Sequence, residues 1–298
     1  MAINKKDVQA LNTVTLDNNI YRVLLEDITG NSGVGTYNMR TSINHPAGPG
    51  HTLLLFGFHT IRSYSSLTDY VQTTYTGYTT DPGFTVVSLE PVSSTVPLSP
   101  TSVNTAYTLT SPANRDNMTI LQNIALHGNT INDSRVAIAT SITNTGLAPL
   151  SIGLRYFWDL ALDDFDDGPT FQALNPDGPV LTTEATFTNP NFEAYQLQNN
   201  QGSIPMSIKG AVNGPAALNP SPVPPDKLQY AYYGSSASTS FNYTTTGQST
   251  DSDSALLTFW GDNTGDIVLL PGQTTTMRTL LFNNVQQESR GLNFSPIL

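Results

Sequence analysis

Between Arg135 and Asp159 the sequence alternates with a period of two on either side of one cluster of chain-breaking residues, and no other stretch limits the fold as tightly. Val136, Ile138, Thr140 and Ile142 alternate with Ala137, Ala139, Ser141 and Thr143, the spacing of a strand with one buried face. Asn144 to Pro149 interrupts the pattern. It resumes with Leu150, Ile152, Leu154, Tyr156 and Trp158 on one face and Ser151, Gly153, Arg155, Phe157 and Asp159 on the other. The two runs read as a β-hairpin. The second runs into an acidic loop, Asp163, Asp164, Phe165, Asp166, Asp167, Gly168, and the ends of strands are where binding groups collect.

A chain of 298 residues is long enough for one large β-sandwich, and the pattern elsewhere is strand after strand separated by Gly, Pro, Asn and Ser clusters. Charged residues make up 12% of the chain, about half the usual share, so few ion pairs are available to support helices. The net charge of −11 repels phosphate backbones and anionic lipid, which argues against a nucleic-acid partner. The longest apolar run, Leu53 to Phe58, is far below the roughly 20 residues a spanning helix needs, so no membrane insertion is expected. With no cysteine, disulfides, zinc–thiolate sites and thiol nucleophiles are excluded. No apolar run of signal-peptide length follows Lys5 and Lys6. Residues 1–25 read as a flexible N-terminal arm whose strand-like part, Thr13 to Leu25, is available for exchange with a neighbouring subunit, and 26–298 read as a single sandwich domain.

Chemistry-bearing residues are sparse. His51 and His59 share a strand face but stand eight residues apart, about 26 Å along a strand, too far for one ion, and His45 and His127 read as isolated. The acidic loop offers Asp163, Asp164, Asp166 and Asp167 as oxygen ligands for calcium, although the alternating pattern of an EF-hand is absent and Asn175 stands where its bidentate Glu would be. Asp159, Asp163 and Glu184 could supply the two carboxylates of a glycosidase. The alternative is a solvated acidic turn with Asp159 paired to Arg155. Tyr64, Tyr70, Tyr75 and Tyr78 could stack on sugars or cover the core. No G-x-S-x-G motif is present.

The stretch VAIATSITNTGLAPLSIGLRYFWDL resembles the strand–turn–strand of the galactose-mutarotase-like supersandwich family, and the terminal IVLLPGQTTTMRTLLF, read as a hairpin turning at Pro271, Gly272 and Gln273, resembles that family's last strands. The resemblance implies an all-β supersandwich with a sugar cleft near Arg155, Tyr156, Asp159 and Asp163. Where the sugar epimerases carry a catalytic histidine after the first of these segments, this chain has Arg155, Tyr156, Phe157, Trp158 and Asp159. IRSYSSLTDYV, RYFWDLALDDFDDGPTF and LTTEATF further resemble uncharacterised bacterial proteins, mainly Gram-positive. Two functions follow as expectations. The first is a non-enzymatic structural or surface protein that self-associates into an oligomer or filament, outside the cell or on a cell or spore surface. The alternative is a carbohydrate-binding or carbohydrate-processing supersandwich, with Arg155, Tyr156 and Asp159 as ligand contacts and glycans as partners.

Overall fold

The computed structural model describes residues 13–26, 33–89, 93–110, 116–163, 168–199, 206–216 and 218–283. Two sheets pack face to face. The large sheet runs β1 (Thr13–Asp17), β2 (Tyr21–Glu26), β3 (Tyr37–Thr41), β4 (Thr52–Ser63), β11 (Leu150–Leu160), β18 (Ser254–Trp260), β17 (Lys227–Tyr232) and β14 (Ala185–Thr188). To this path β19 (Ile267–Leu269) adds on β11, β5 (Thr68–Val71) on β4, and β6 (Thr85–Ser88) on β5. The small sheet runs β13 (Val180–Leu181), β12 (Thr170–Leu174), β15 (Ala194–Gln198), β16 (Ser207–Ala211), β20 (Thr274–Phe282), β10 (Arg135–Asn144), β9 (Met118–His127), β8 (Ser102–Leu109) and β7 (Ser93–Ser99). Pairings are antiparallel except β5 with β6. One helical turn, α1 (Tyr233–Ser236), is the only helix among the described residues. The fold is thus a large antiparallel β-sandwich, as the alternation predicts.

The strand bounds at β10 and β11 match the sequence pattern, but the two are not a hairpin. β10 pairs with β9 and β20 in the small sheet, whereas β11 pairs with β4, β18 and β19 in the large one. Residues 145–149 therefore cross from one sheet to the other. The terminal pair is corrected in the same way: β19 lies on β11 and β20 on β10. Alternation reports which side of a strand is buried and carries no information about its hydrogen-bonded neighbour. Both apolar faces meet across the core, where the Thr140 and Tyr156 hydroxyls are 2.7 Å apart.

Thr13 to Leu25 is likewise folded into its own chain. β1 pairs with β2, and β2 with β3, and Leu16, Ile20, Tyr21, Val23 and Leu25 are all buried in the main core. Residues 1–12 lie outside the described residues. Asn18, in the turn between the strands, accepts from the Ile20 and Tyr21 amides and donates to the His127 and Gly128 carbonyls and to Ser134 Oγ. It joins the two sheets at their edge. In the middle of the core Trp158 Nε1 donates to Tyr37 Oη at 2.7 Å. The Tyr37 ring lies over Gly57, where an added Cβ would stand 2.5 Å from Tyr37 Cε2. A side chain at position 57 would push the ring off the strand.

Candidate functional site

The side chains that alternate outward from the centre of the large sheet would be polar if that face were open to water. Here they include Phe56 and Phe58 on β4, Phe157 on β11, and Leu257 and Phe259 on β18, all buried. The chain after α1 explains this. Residues 237–250 fold back over the sheet and place Phe241 and Tyr243 on these rings, with Phe241 edge-on to Phe259 at 5.6 Å. A strap from the protein's own sequence occupies the outer face.

Under the strap lies a charge cluster. The β4–β5 hairpin sets Arg62 opposite Asp69, and the guanidinium forks onto that carboxylate at 2.7 and 2.8 Å while Nη1 reaches Asp81 at 2.5 Å. It is held between the rings of Phe84 and Phe241, 3.9 and 4.3 Å from their centroids. Ser240 Oγ donates to Asp69 and Asn242 Nδ2 to Asp81, so the strap closes the ion pairs. Burial alone would lower the Arg62 pKa, but the two carboxylates more than reverse this and raise it. The sequence carried a usable signal: a strand residue and its hairpin partner of opposite charge, seven positions apart.

Arg155 stands beside this cluster, fully buried. Its Nη1 donates to Thr239 Oγ1 at 3.1 Å and to the Phe241 carbonyl at 3.0 Å, while Nε and Nη2 make no hydrogen bond. Desolvation lowers its pKa to about 10. Asp159 shares the outer face of β11 but is four residues on, with Phe157 between, and Arg155 turns to the strap instead of pairing with it. Tyr156 points to the opposite face, into the sandwich core, edge-on to Trp260 at 5.5 Å. The three proposed ligand contacts therefore divide into two outward residues and one core residue.

Of the four carboxylates of the acidic loop, Asp163 alone is described; Asp164, Asp166 and Asp167 lie outside the described residues. Asp163 Oδ1 lies 2.6 Å from His51 Nδ1, a contact absent from the sequence reading because 112 positions separate the pair. His45 is close by: burial, and then the proximity of His51, lower its pKa to about 4. The histidines at 45 and 51 are thus neighbours, not isolated groups. Among the described residues no group of three or more His, Asp or Glu is arranged to hold a metal. Glu184, the third candidate carboxylate, accepts from the Tyr232 and Thr246 amides and from the Tyr243 and Thr246 hydroxyls. It fastens the strap.

Two stacked sheets of this size, with long crossings between them, define a supersandwich. The chain is similar in fold to a galactose mutarotase-like protein from Lactobacillus casei ATCC 334, with a TM-score of 0.50 at 8% identity over 91% of this chain and 99% of that one. It also aligns with a GalM/aldose epimerase homologue from C. elegans, with a TM-score of 0.48 at 11% identity over 92% and 99% of the two chains. The chain matches no protein-family model and no curated protein. At these identities the likeness is one of fold.

Proposed function

We propose that this protein is a non-enzymatic carbohydrate-binding supersandwich. The observation that carries the reading is the strap: the outer face of the large sheet is filled by residues 237–250 over Arg62, Asp69 and Arg155. Acid–base chemistry on a sugar needs two titratable groups facing an open cleft. Here Asp69 and Asp81 are bonded to Arg62 and to the strap, and the buried Arg155 donates to the strap. The carbohydrate part draws support from the shared fold with the mutarotase-like protein of Lactobacillus casei and from the half-buried Asn104, Asn123, Ser141 and Thr276 on the outer side of the small sheet. The test has two arms. Anomer interconversion of galactose and glucose, followed by polarimetry, should run at the buffer rate, and a thermal-shift panel of neutral and acidic saccharides should contain at least one stabilising member. Acceleration of interconversion would overturn the non-enzymatic half, and a panel with no response would overturn the carbohydrate half.

A second reading, self-association, is favoured by one feature. Among the described residues β7 is the last strand of the small sheet, with no further strand on its outer side, and Val96 and Leu98 on it are 54% and 57% exposed. Unpaired edges with exposed apolar residues are templates for strand addition. Light scattering on a sizing column should then give a multimer that Val96→Lys converts to the mass of one chain. A wild-type monomer would remove this reading.

A further inference from the structure

The geometry points to a binding groove for an acidic saccharide on the outer face of the small sheet, the face opposite the sandwich core and remote from the strap. This rests on the carbohydrate reading and locates it. The groove has a volume of about 520 Å³ and is bounded on one side by Pro220 of the proline-rich crossing that follows β16. Strand register builds it. Ala139 on β10 is directly opposite Arg278 on β20 and Asn123 on β9, and neighbouring strands are about 4.8 Å apart. A small residue in the middle position leaves a trough with a guanidinium on one bank and an amide on the other. The next outward-facing row toward the strand ends places Ala137 beside Ala125, which extends the flat floor. The row on the other side sets Ser141 against Thr276, whose hydroxyls are 2.7 Å apart. These hydroxyls and the Asn123 amide can exchange hydrogen bonds with sugar hydroxyls.

Charge supplies the second part. On a protein of net charge −11 with only 12 Lys and Arg, Arg278 lines the groove and Arg135 stands beyond its end, two positions along β10 from Ala137, and the ion pairs among the described residues include neither. Each donates to a main-chain carbonyl of the crossing, Arg135 to Asn219 and Arg278 to Ser221, which fixes the forks beside the groove. His127, opposite Arg135 in the register, also lines it. Burial first, and then the two arginines, lower the His127 pKa, a sign of the positive field. A local cationic site on an acidic protein selects a carboxylate or sulfate. The hydroxyl-bearing bank selects a sugar over a bare anion. The lining carries alanine methyls and no Phe, Tyr or Trp ring, so ring stacking contributes little and affinity depends on charge.

The experiment is titration of the full chain with D-galacturonic acid and short oligogalacturonates, with galactose and galacto-oligosaccharides of equal length as neutral controls and inorganic phosphate as the bare anion, read by calorimetry at two salt concentrations. Oligogalacturonate should bind at least tenfold more tightly than its neutral counterpart, weaken as salt rises, and lose at least tenfold in affinity with Arg278→Gln. Because Arg278 also holds the crossing, Ala139→Glu is the second variant. It projects a carboxylate into the trough from an already partly exposed position and should abolish binding with the melting temperature nearly unchanged. Phosphate binding as tightly as oligogalacturonate, or acidic-sugar binding that survives Ala139→Glu, would overturn the site. Binding of neutral sugars alone would overturn the site and leave the carbohydrate reading standing, whereas no binding by any sugar would remove both.

Discussion

His59 lies on the inner face of β4, fully buried between the rings of Tyr107 and Tyr156 at 5.7 and 6.3 Å. Neither ring nitrogen makes a hydrogen bond, and burial lowers the pKa to about 3. An unfolded chain protonates this residue near 6.5, so between those values the unfolded state holds the extra proton. The associated stability is complete above about pH 6.5 and is lost as pH falls toward 3. The slope corresponds to roughly 2 kcal/mol between pH 6.5 and 5. His59→Phe keeps the ring and its neighbours, and its main-chain bond to Gln72 is unaffected. It should leave urea stability at pH 7 within about 1 kcal/mol and flatten the decline measured from pH 6.5 to 4.5; an unchanged decline would place the acid sensitivity elsewhere, with His45 the next residue to test. Arg62 and Arg155 offer a second comparison. Removing Arg62 leaves Asp69 buried without its charge partner, a loss of about 3–5 kcal/mol for Arg62→Met. Arg155→Met removes a guanidinium that the protein only half satisfies, so the same unfolding measurement should give a change of no more than about 1 kcal/mol in either direction.

At the scale of elements, the strap depends on one carboxylate. Burial raises the Glu184 pKa, and bonds from Tyr243, Tyr232 and Thr246 more than offset this, so the group stays ionised below its ordinary range. Its contribution is therefore present above the normal carboxylate pKa and is lost as pH falls through the lowered one. Glu184→Gln keeps the shape but turns one acceptor into a donor facing the Tyr243 hydroxyl or the Thr246 amide. A cost of about 1–3 kcal/mol is expected, with faster amide exchange over residues 239–248 than elsewhere; uniform loss of protection across the chain would mean that the strap is not a separate unit. This element also shows where the sequence became opaque. Val136 to Ile142 and Leu150 to Trp158 announced their strands and buried faces, because alternation is a local property. The outward face of β11, with Arg155, Phe157 and Asp159, read as mixed, since the covering Phe241 is more than 80 positions away. Sheet membership was hidden for the same reason: a turn rich in Asn, Gly and Pro serves a crossing between sheets as well as a hairpin.

At the scale of the whole molecule, the core spans both sheets, and its N-terminal strands belong to it. The expectation of an exchangeable arm came from β-rich residues at a chain terminus, where partner and self compete for the same edge. Within the single chain the segment pairs with its own sheet: Leu16, Ile20, Tyr21, Val23 and Leu25 are at most 2% exposed, and Asn18 ties their turn to the small sheet. Burying one such side chain is worth about 1.5–3 kcal/mol, so these five together contribute on the order of 10 kcal/mol. That equals the whole net stability of a typical domain, about 5–15 kcal/mol. Deleting residues 1–25 would also leave β3 as an edge with Met39 and Tyr37 uncovered. The truncated chain should accumulate as insoluble or protease-sensitive material, lacking the sharp thermal transition of the full chain. A soluble, cooperatively melting protein lacking residues 1–25 would show instead that the large sheet closes without its first two strands, and that this pair is free to serve a neighbour.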